Sequence, residues 1–408
     1  MYLEIEVQQL QSICLQFIQH LYVDIFVQQY YDCPSTGKEY KMMKNKIYLV
    51  TGAAGNLGGN ICRQLLEKGE RVRGLVLPND PAEKYLPKEV EVIHGDLLDV
   101  PSLEEFFRTE EENEVYVIHC AAIVWEKMEM NPKVRAVNVD GTANIIEQCL
   151  KHHVRKLVYV GSTGAIPELP AGQKIREVNC FLPTEGLVGC YSVTKAEAAQ
   201  LVLDAVQSHP ELDATIVLPS GICGPKDYAF NSVTSMVQQF VQGKMRMGLE
   251  GTFSIADVRD LADGVIAACD KGRRGESYIL TGETVTMQDM LREISEAAGL
   301  SVKSYVLSKE VSRIAVKGLA AVSRVTGKDP LLSEFNIYML NRNNEYDSSK
   351  AERELGFHCR PFSESIRDTV TWLREEGFLK ATEKAEVIEI SPAAVLSLLF
   401  KKLVSTRN

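Results

Sequence analysis

The sequence predicts an α/β protein: a doubly wound parallel sheet followed by a smaller, mostly helical C-terminal subdomain. Three observations carry this. Short apolar runs alternate with segments of helical length, a glycine turn follows the first run at once, and amphipathic helical patterning dominates after Glu283.

The elements follow in order. From Lys46, the run IYLV is a strand, TGAAGNLG is a turn, and Leu57, Ile61, Leu65 and Leu66 recur at helical spacing. Further strands are expected at Arg71 to Leu77, Val90 to His94, Val115 to Ala122, Lys156 to Val160, Thr215 to Leu218 and Tyr278 to Leu280. Strands spaced this way form a parallel sheet covered on both faces. Residues 165–190 and 222–254 are too long for simple connections and are expected to build a substrate pocket. Phe230, Met236, Phe240, Met245, Met247 and Phe253 would offer apolar lining there or serve as core. TMQDMLREISEAAG then forms an amphipathic helix, and the stretch through Gly356 and Trp372 completes the subdomain.

The domain boundaries expected are 43–283 for the nucleotide-binding part with its insertions, 284–380 for the substrate-binding subdomain, and 381–408 for an apolar, lysine-containing tail. Residues 1–42 read as an extension that need not belong to the native product. Back-translation of Gly37, Lys38, Glu39, Tyr40 and Lys41 permits a bacterial ribosome-binding site ahead of Met42. A genuine amphipathic helix is the alternative.

Composition excludes several classes. A formal net charge of −10 with no basic block argues against nucleic acid as partner. The ten cysteines show no metal-ligand or disulfide spacing, so no metal is expected. No apolar run suffices for a membrane span, and the acidic start is unlike a secretory signal, which gives a cytoplasmic reading.

Gly52, Gly55 and Gly58 form GxxGxxG between strand and helix. Lacking Cβ atoms, they let a pyrophosphate approach the free N–H groups at the helix start. Asp96 after the third strand is placed for an adenine amino group, and Cys120, Ala121 and Ala122 are small enough to admit an adenosine. Leu75, Val76, Leu77 and Pro78 carry neither the acid that binds a ribose 2′-hydroxyl nor the arginine that receives a 2′-phosphate. NAD is therefore favoured over NADP, with Arg73 or Lys84 as the cations able to reverse that.

Tyr191 and Lys195 lie one helical turn apart in YSVTK. A neighbouring ammonium is expected to lower the phenol's pKa, so that the tyrosine exchanges a proton with a substrate oxygen as hydride moves. Ser162 and Thr163, ending the fifth strand, supply a hydroxyl to hold that oxygen.

These segments resemble an extended short-chain dehydrogenase/reductase from about Lys46 to Leu379, through TGAAGNLG, GDLLD, HCAA, VNVDGT, VGST, YSVTK, PSGICGP, DVRDLADG and SSKAERELGF. The resemblance implies a Rossmann-type sheet. It implies cofactor contacts at Gly52, Gly55, Asn56, Leu57, Gly58, Asp96, Leu97, Ala121, Ala122, Ser162, Tyr191, Lys195, Pro219 and Ile222, the last two flanking a nicotinamide clamp. It implies a catalytic set of Thr163, Tyr191 and Lys195 with Ser162 as substitute, an organising Asn138, and a homodimer. DVRDLADG, KDPLLSE and TVTWLREEG are more similar to the dihydroflavonol reductase and 3-beta-hydroxysteroid dehydrogenase branch than to nucleotide-sugar enzymes. Leu218, Cys223 and Leu77 depart from that branch's usual Arg, Tyr and Arg. The expected activity is hydride transfer between NAD(P) and a hydrophobic secondary alcohol or ketone. A nucleotide-sugar epimerase or dehydratase, and a non-catalytic dinucleotide sensor, remain as alternatives.

Overall fold

The computed structural model describes residues 45–110, 112–245, 247–301, 304–311 and 334–379. The expected leader and the 381–408 tail lie outside them.

The first part of the chain runs β1 (Lys46–Thr51), α1 (Asn56–Glu67), β2 (Arg71–Val76), β3 (Glu91–His94), α2 (Val100–Phe107), β4 (Glu114–His119), α3 (Pro132–Arg135), a π-helical turn at Ala136–Asp140, α4 (Gly141–Lys151), β5 (Lys156–Val160), α5 (Cys190–Ser208) and β6 (Ala214–Pro219). There follow β7 (Gly221–Cys223), α6 (Ser232–Val241), β8 (Met247–Leu249), β9 (Thr252–Asp257), α7 (Val258–Lys271) and β10 (Ser277–Leu280). The seven strands of the main sheet lie in the order β10-β6-β5-β4-β1-β2-β3, and every pair is parallel.

Alternate residues of each strand bury on opposite faces, as the two-residue period requires. Ile47, Leu49, Val117, Leu157 and Ile216 join Phe106, Ile145 and Val202 on one face. Tyr48, Val50, Ile118, Val158 and Val217 join Ile61, Leu65 and Val265 on the other. Each fully buried aliphatic side chain contributes roughly 1.5–3 kcal/mol over its exposed state. Two covered faces explain why these strands read as unbroken apolar runs.

The chain continues with β11 (Glu283–Thr286), α8 (Met287–Ala298), β12 (Tyr305–Leu307), α9 (Glu334–Asn341), α10 (Ser349–Leu355) and α11 (Phe362–Glu375). A capping box of Thr286 and Asp289 starts α8, and left-handed Gly299 ends it. A third core joins Phe240 and Leu249 of the 222–254 insertion to Leu291, Ile294, Ile366 and Trp372. Two small sheets, β11-β9-β7 and β12-β8, accompany these helices. The aromatic and methionine residues foreseen as pocket lining pack here: Phe240 is fully buried, Phe230 meets Trp372 and Phe378 edge to face or tilted, and Met236, Met245, Met247 and Phe253 flank the same core.

No described helix is long and apolar enough to cross a membrane, and no metal-ligating cluster occurs among the described residues. Cys62, Cys149, Cys223 and Cys269 are buried, and burial pushes the thiols of Cys62 and Cys223 up to about 12; Cys180 is exposed.

Candidate active site

The site sits at the C-terminal ends of β1, β4 and β5, where the strand order reverses beside β1. Gly52 is left-handed at φ +66°, and a Cβ added there would lie 3.0 Å from the Ala121 backbone. A Cβ on Gly58 would lie 2.2 Å from the Gly52 carbonyl oxygen, so the turn and the start of α1 touch backbone to backbone. Gly55 N–H donates to Gly52 O at 3.0 Å and precedes α1 without a side-chain cap. The first N–H groups of Asn56, Leu57 and Gly58 have no helical acceptor, and the buried Asn56 Nδ2 also lacks a partner. Such a cradle of free donors fits a dinucleotide's pyrophosphate.

Asp96 Oδ1 accepts from Leu98 N at 2.9 Å, which shapes the turn after β3. Leu97 is buried against Gly141, and its carbonyl accepts from Asn144 Nδ2 at 2.8 Å. Ala121 N–H donates to Thr51 Oγ1 at 3.1 Å, and the partly buried Ala121 and Ala122 continue β4 across the mouth of the turn.

At the end of β5, Ser162 Oγ accepts from Gly164 N at 3.1 Å and starts the tight turn Thr163–Ala165. The Ser162 side chain also lies by the Tyr191 phenol and favours its ionised form. Thr163 is buried within that turn. Tyr191 lies in the first turn of α5, and Lys195 on the same helix donates from Nζ to Val160 O at 2.6 Å while lying 4.7 Å above the Tyr159 ring. Burial pushes the Lys195 ammonium down to about 7. Burial also raises the Tyr191 phenol, and the neighbouring Ser162 hydroxyl draws it part of the way back. The expected lowering of the phenol by Lys195 is therefore corrected: desolvation dominates both groups, and the ammonium is directed at a carbonyl and a ring face.

The model of the family described as NAD dependent epimerase/dehydratase matches residues 48–281. The chain belongs to that family. Its relatives agree. Sterol demethylase protein B of Methylococcus capsulatus is 31% identical over 345 residues, covering 81% of this chain and 99% of that protein. A decarboxylating sterol-4-alpha-carboxylate 3-dehydrogenase of Saccharomyces cerevisiae is 26% identical over 355 residues, covering 82% and 99%. The crystal structure of gox2253 superposes with a TM-score of 0.70 at 29% identity, covering 82% of this chain and 99% of that one.

This epimerase/dehydratase-family chain is thus an NAD(P)-dependent enzyme, and the extended short-chain dehydrogenase/reductase resemblance holds. Asn138, in the π-helical turn, accepts from Ile123 N at 2.7 Å and donates from Nδ2 to Ile123 O and Thr194 Oγ1, both at 3.1 Å. Thr194 in turn donates to Tyr191 O at 3.1 Å. Asn138 so joins the segment after β4 to the Tyr191 turn. Pro219 ends β6 and is buried, while Ile222 in β7 accepts from Asn231 Nδ2 at 3.2 Å. Thr194, His119 and Phe335 escaped the sequence reading. Phe335 of α9 approaches Gly189, whose φ of +87° precedes α5; a Cβ on Gly189 would lie 2.6 Å from that ring. Thr194 lay inside YSVTK, but only the fold shows that its hydroxyl faces Asn138.

Proposed function

We propose that this enzyme transfers hydride between NAD and a hydrophobic secondary alcohol or ketone of the sterol type. The observation that carries the reading is Tyr191 beside Ser162 and one helical turn from buried Lys195, at the strand ends beside the glycine cradle. When bound, the nicotinamide accepts or supplies the hydride. Tyr191 holds a proton at its hydroxyl and donates it to a nascent alkoxide, or takes it from an alcohol in reverse. Ser162 shares that oxygen's hydrogen bonding and fixes its position. Lys195, held by Val160 O, would supply a cation when protonated and could hold the cofactor's ribose hydroxyls.

NAD is proposed over NADP because both candidate cations are engaged elsewhere. Arg73 donates to Phe106 O, Arg108 O and Glu91 Oε1 at 2.7–3.0 Å, and Lys84 lies 4.8 Å over the Tyr85 ring. Leu77 follows β2 with half its surface exposed. An apolar substrate is supported by Val124, Met128 and Met130, exposed on the segment that Asn131 N ties to Cys190 Sγ at 3.4 Å, next to Tyr191. The sterol relatives support the same class.

The test is turnover of 3-hydroxysterols and 3-ketosteroids with NADH/NAD and with the phosphorylated pair, in wild type and Tyr191→Phe. Turnover that survives Tyr191→Phe undiminished would overturn the mechanism, and a preference for the phosphorylated cofactor would overturn the choice of NAD.

A further inference from the structure

We propose that His119 is a positioning residue that couples the wall of the dinucleotide crevice to the Tyr191 turn through a hydrogen-bond chain of fixed direction. The proposal rests on the activity above only for its turnover readout.

His119 ends β4, is 1% exposed, and bridges two threonines: Nδ1 to Thr51 Oγ1 at 2.7 Å and Nε2 to Thr142 Oγ1 at 3.1 Å. Every proton in the chain can be assigned. Thr142 Oγ1 lies 2.7 Å from Asn138 O, and a carbonyl carries no hydrogen, so the threonine's proton points there. Thr142 must then accept from His119, which places the imidazole hydrogen on Nε2. The bare Nδ1 accepts from Thr51, whose oxygen is left to accept from Ala121 N at 3.1 Å. The chain runs in one direction from Ala121, through Thr51, His119 and Thr142, to Asn138.

Each end touches machinery already described. Ala121 packs against Gly52 of the phosphate turn. Asn138 spends its whole side-chain amide on Ile123 and on Thr194, which holds Tyr191 O. A doubly protonated imidazole would place an N–H against the Thr51 hydroxyl and break the order. Burial and the Lys195 charge oppose that state and hold His119 down at about 3; the other ring facing it is that of Tyr159, at 5.7 Å.

Asn and Gln each preserve one half of the imidazole's contacts. In His119→Asn the amide oxygen can replace Nδ1 toward Thr51 but nothing reaches Thr142; in His119→Gln the amide nitrogen can replace Nε2 toward Thr142 but Thr51 loses its acceptor. The experiment measures NADH affinity by fluorescence titration, kcat, and hydrogen exchange in the peptide containing Tyr191–Lys195 against the β6 peptide as control. The expected result is a split of about tenfold. His119→Asn loses kcat and speeds exchange around Tyr191, whereas His119→Gln mainly weakens NADH binding. Equal effects of the two variants on all three readouts, or none on any, would overturn the proposal. Where either fails to fold, Thr142→Val and Thr51→Val break the same two links separately and are read the same way. A wild type that binds NADH but turns over no ketone refutes the activity, while affinity and exchange still judge the chain.

Discussion

Ser162 lies by the phenol of Tyr191 and draws its pKa down against the effect of burial, and the neighbouring Thr163 is buried in the turn that Ser162 starts. The serine, expected as the substitute for Thr163, is thus a candidate for the same role.

Ser162→Ala should therefore lower kcat by about a hundredfold, and Thr163→Ala by much less, since a donor aimed at developing charge is worth about that factor. Steady-state kinetics of both variants decide it. The reverse order would return the role to Thr163.

Lys195 falls from 10.5 unfolded to about 7 folded because it is buried. Between those values the unfolded chain binds more protons, so stability rises with pH through that window, by at most about 1.4 kcal/mol per pH unit. Denaturant titrations across the window should show this rise in wild type and a flatter profile in Lys195→Met. A wild-type profile without the rise would show that the ammonium is not desolvated.

His119 runs from 6.5 unfolded to about 3 folded, again through burial first and Lys195 second. Its neutral form favours folding above 6.5, and that contribution is lost as pH falls toward 3. Acid unfolding of His119→Gln should have a shallower dependence on pH over this range than wild type. Identical slopes would contradict the burial of the imidazole.

Gly58→Ala should reduce NADH affinity by at least about tenfold, because its methyl would lie 2.2 Å from a backbone oxygen that has no freedom to turn away. Gly69→Ala is the control: its φ of +78° carries strain, but no atom lies within 4 Å of the added carbon. Calorimetric titration with NADH compares the two. Equal losses would mean that contact at the cradle is not responsible.

The parallel sheet was legible because its central strands are buried on both faces, and all seven expected runs became strands, the partly exposed edge strand β3 included. The run expected to extend to Ala122 pairs only to His119, where β4 ends. From there the chain leaves the sheet so that Ala121 can face Gly52. The glycine turn and the Tyr191–Lys195 spacing were local patterns and could be read directly. Three other features depended on contacts distant in sequence. Ser162's effect on the Tyr191 phenol depends on how the chain folds between them, Asn138 meets Thr194 across 56 positions, and Phe240 packs with α8 and α11. Residue type and spacing do not determine such meetings. The charge on Lys195 was misjudged for a related reason: proximity to a phenol is visible in sequence, but desolvation is not.

The sheltered sulfurs have a practical consequence. Only the thiolate attacks alkylating agents or peroxide, so the buried cysteines of this enzyme should stay silent at neutral pH while iodoacetamide finds Cys180 first among the described residues. A fluorophore carried on that one position would report on the surface beside Leu182 without disturbing the interior.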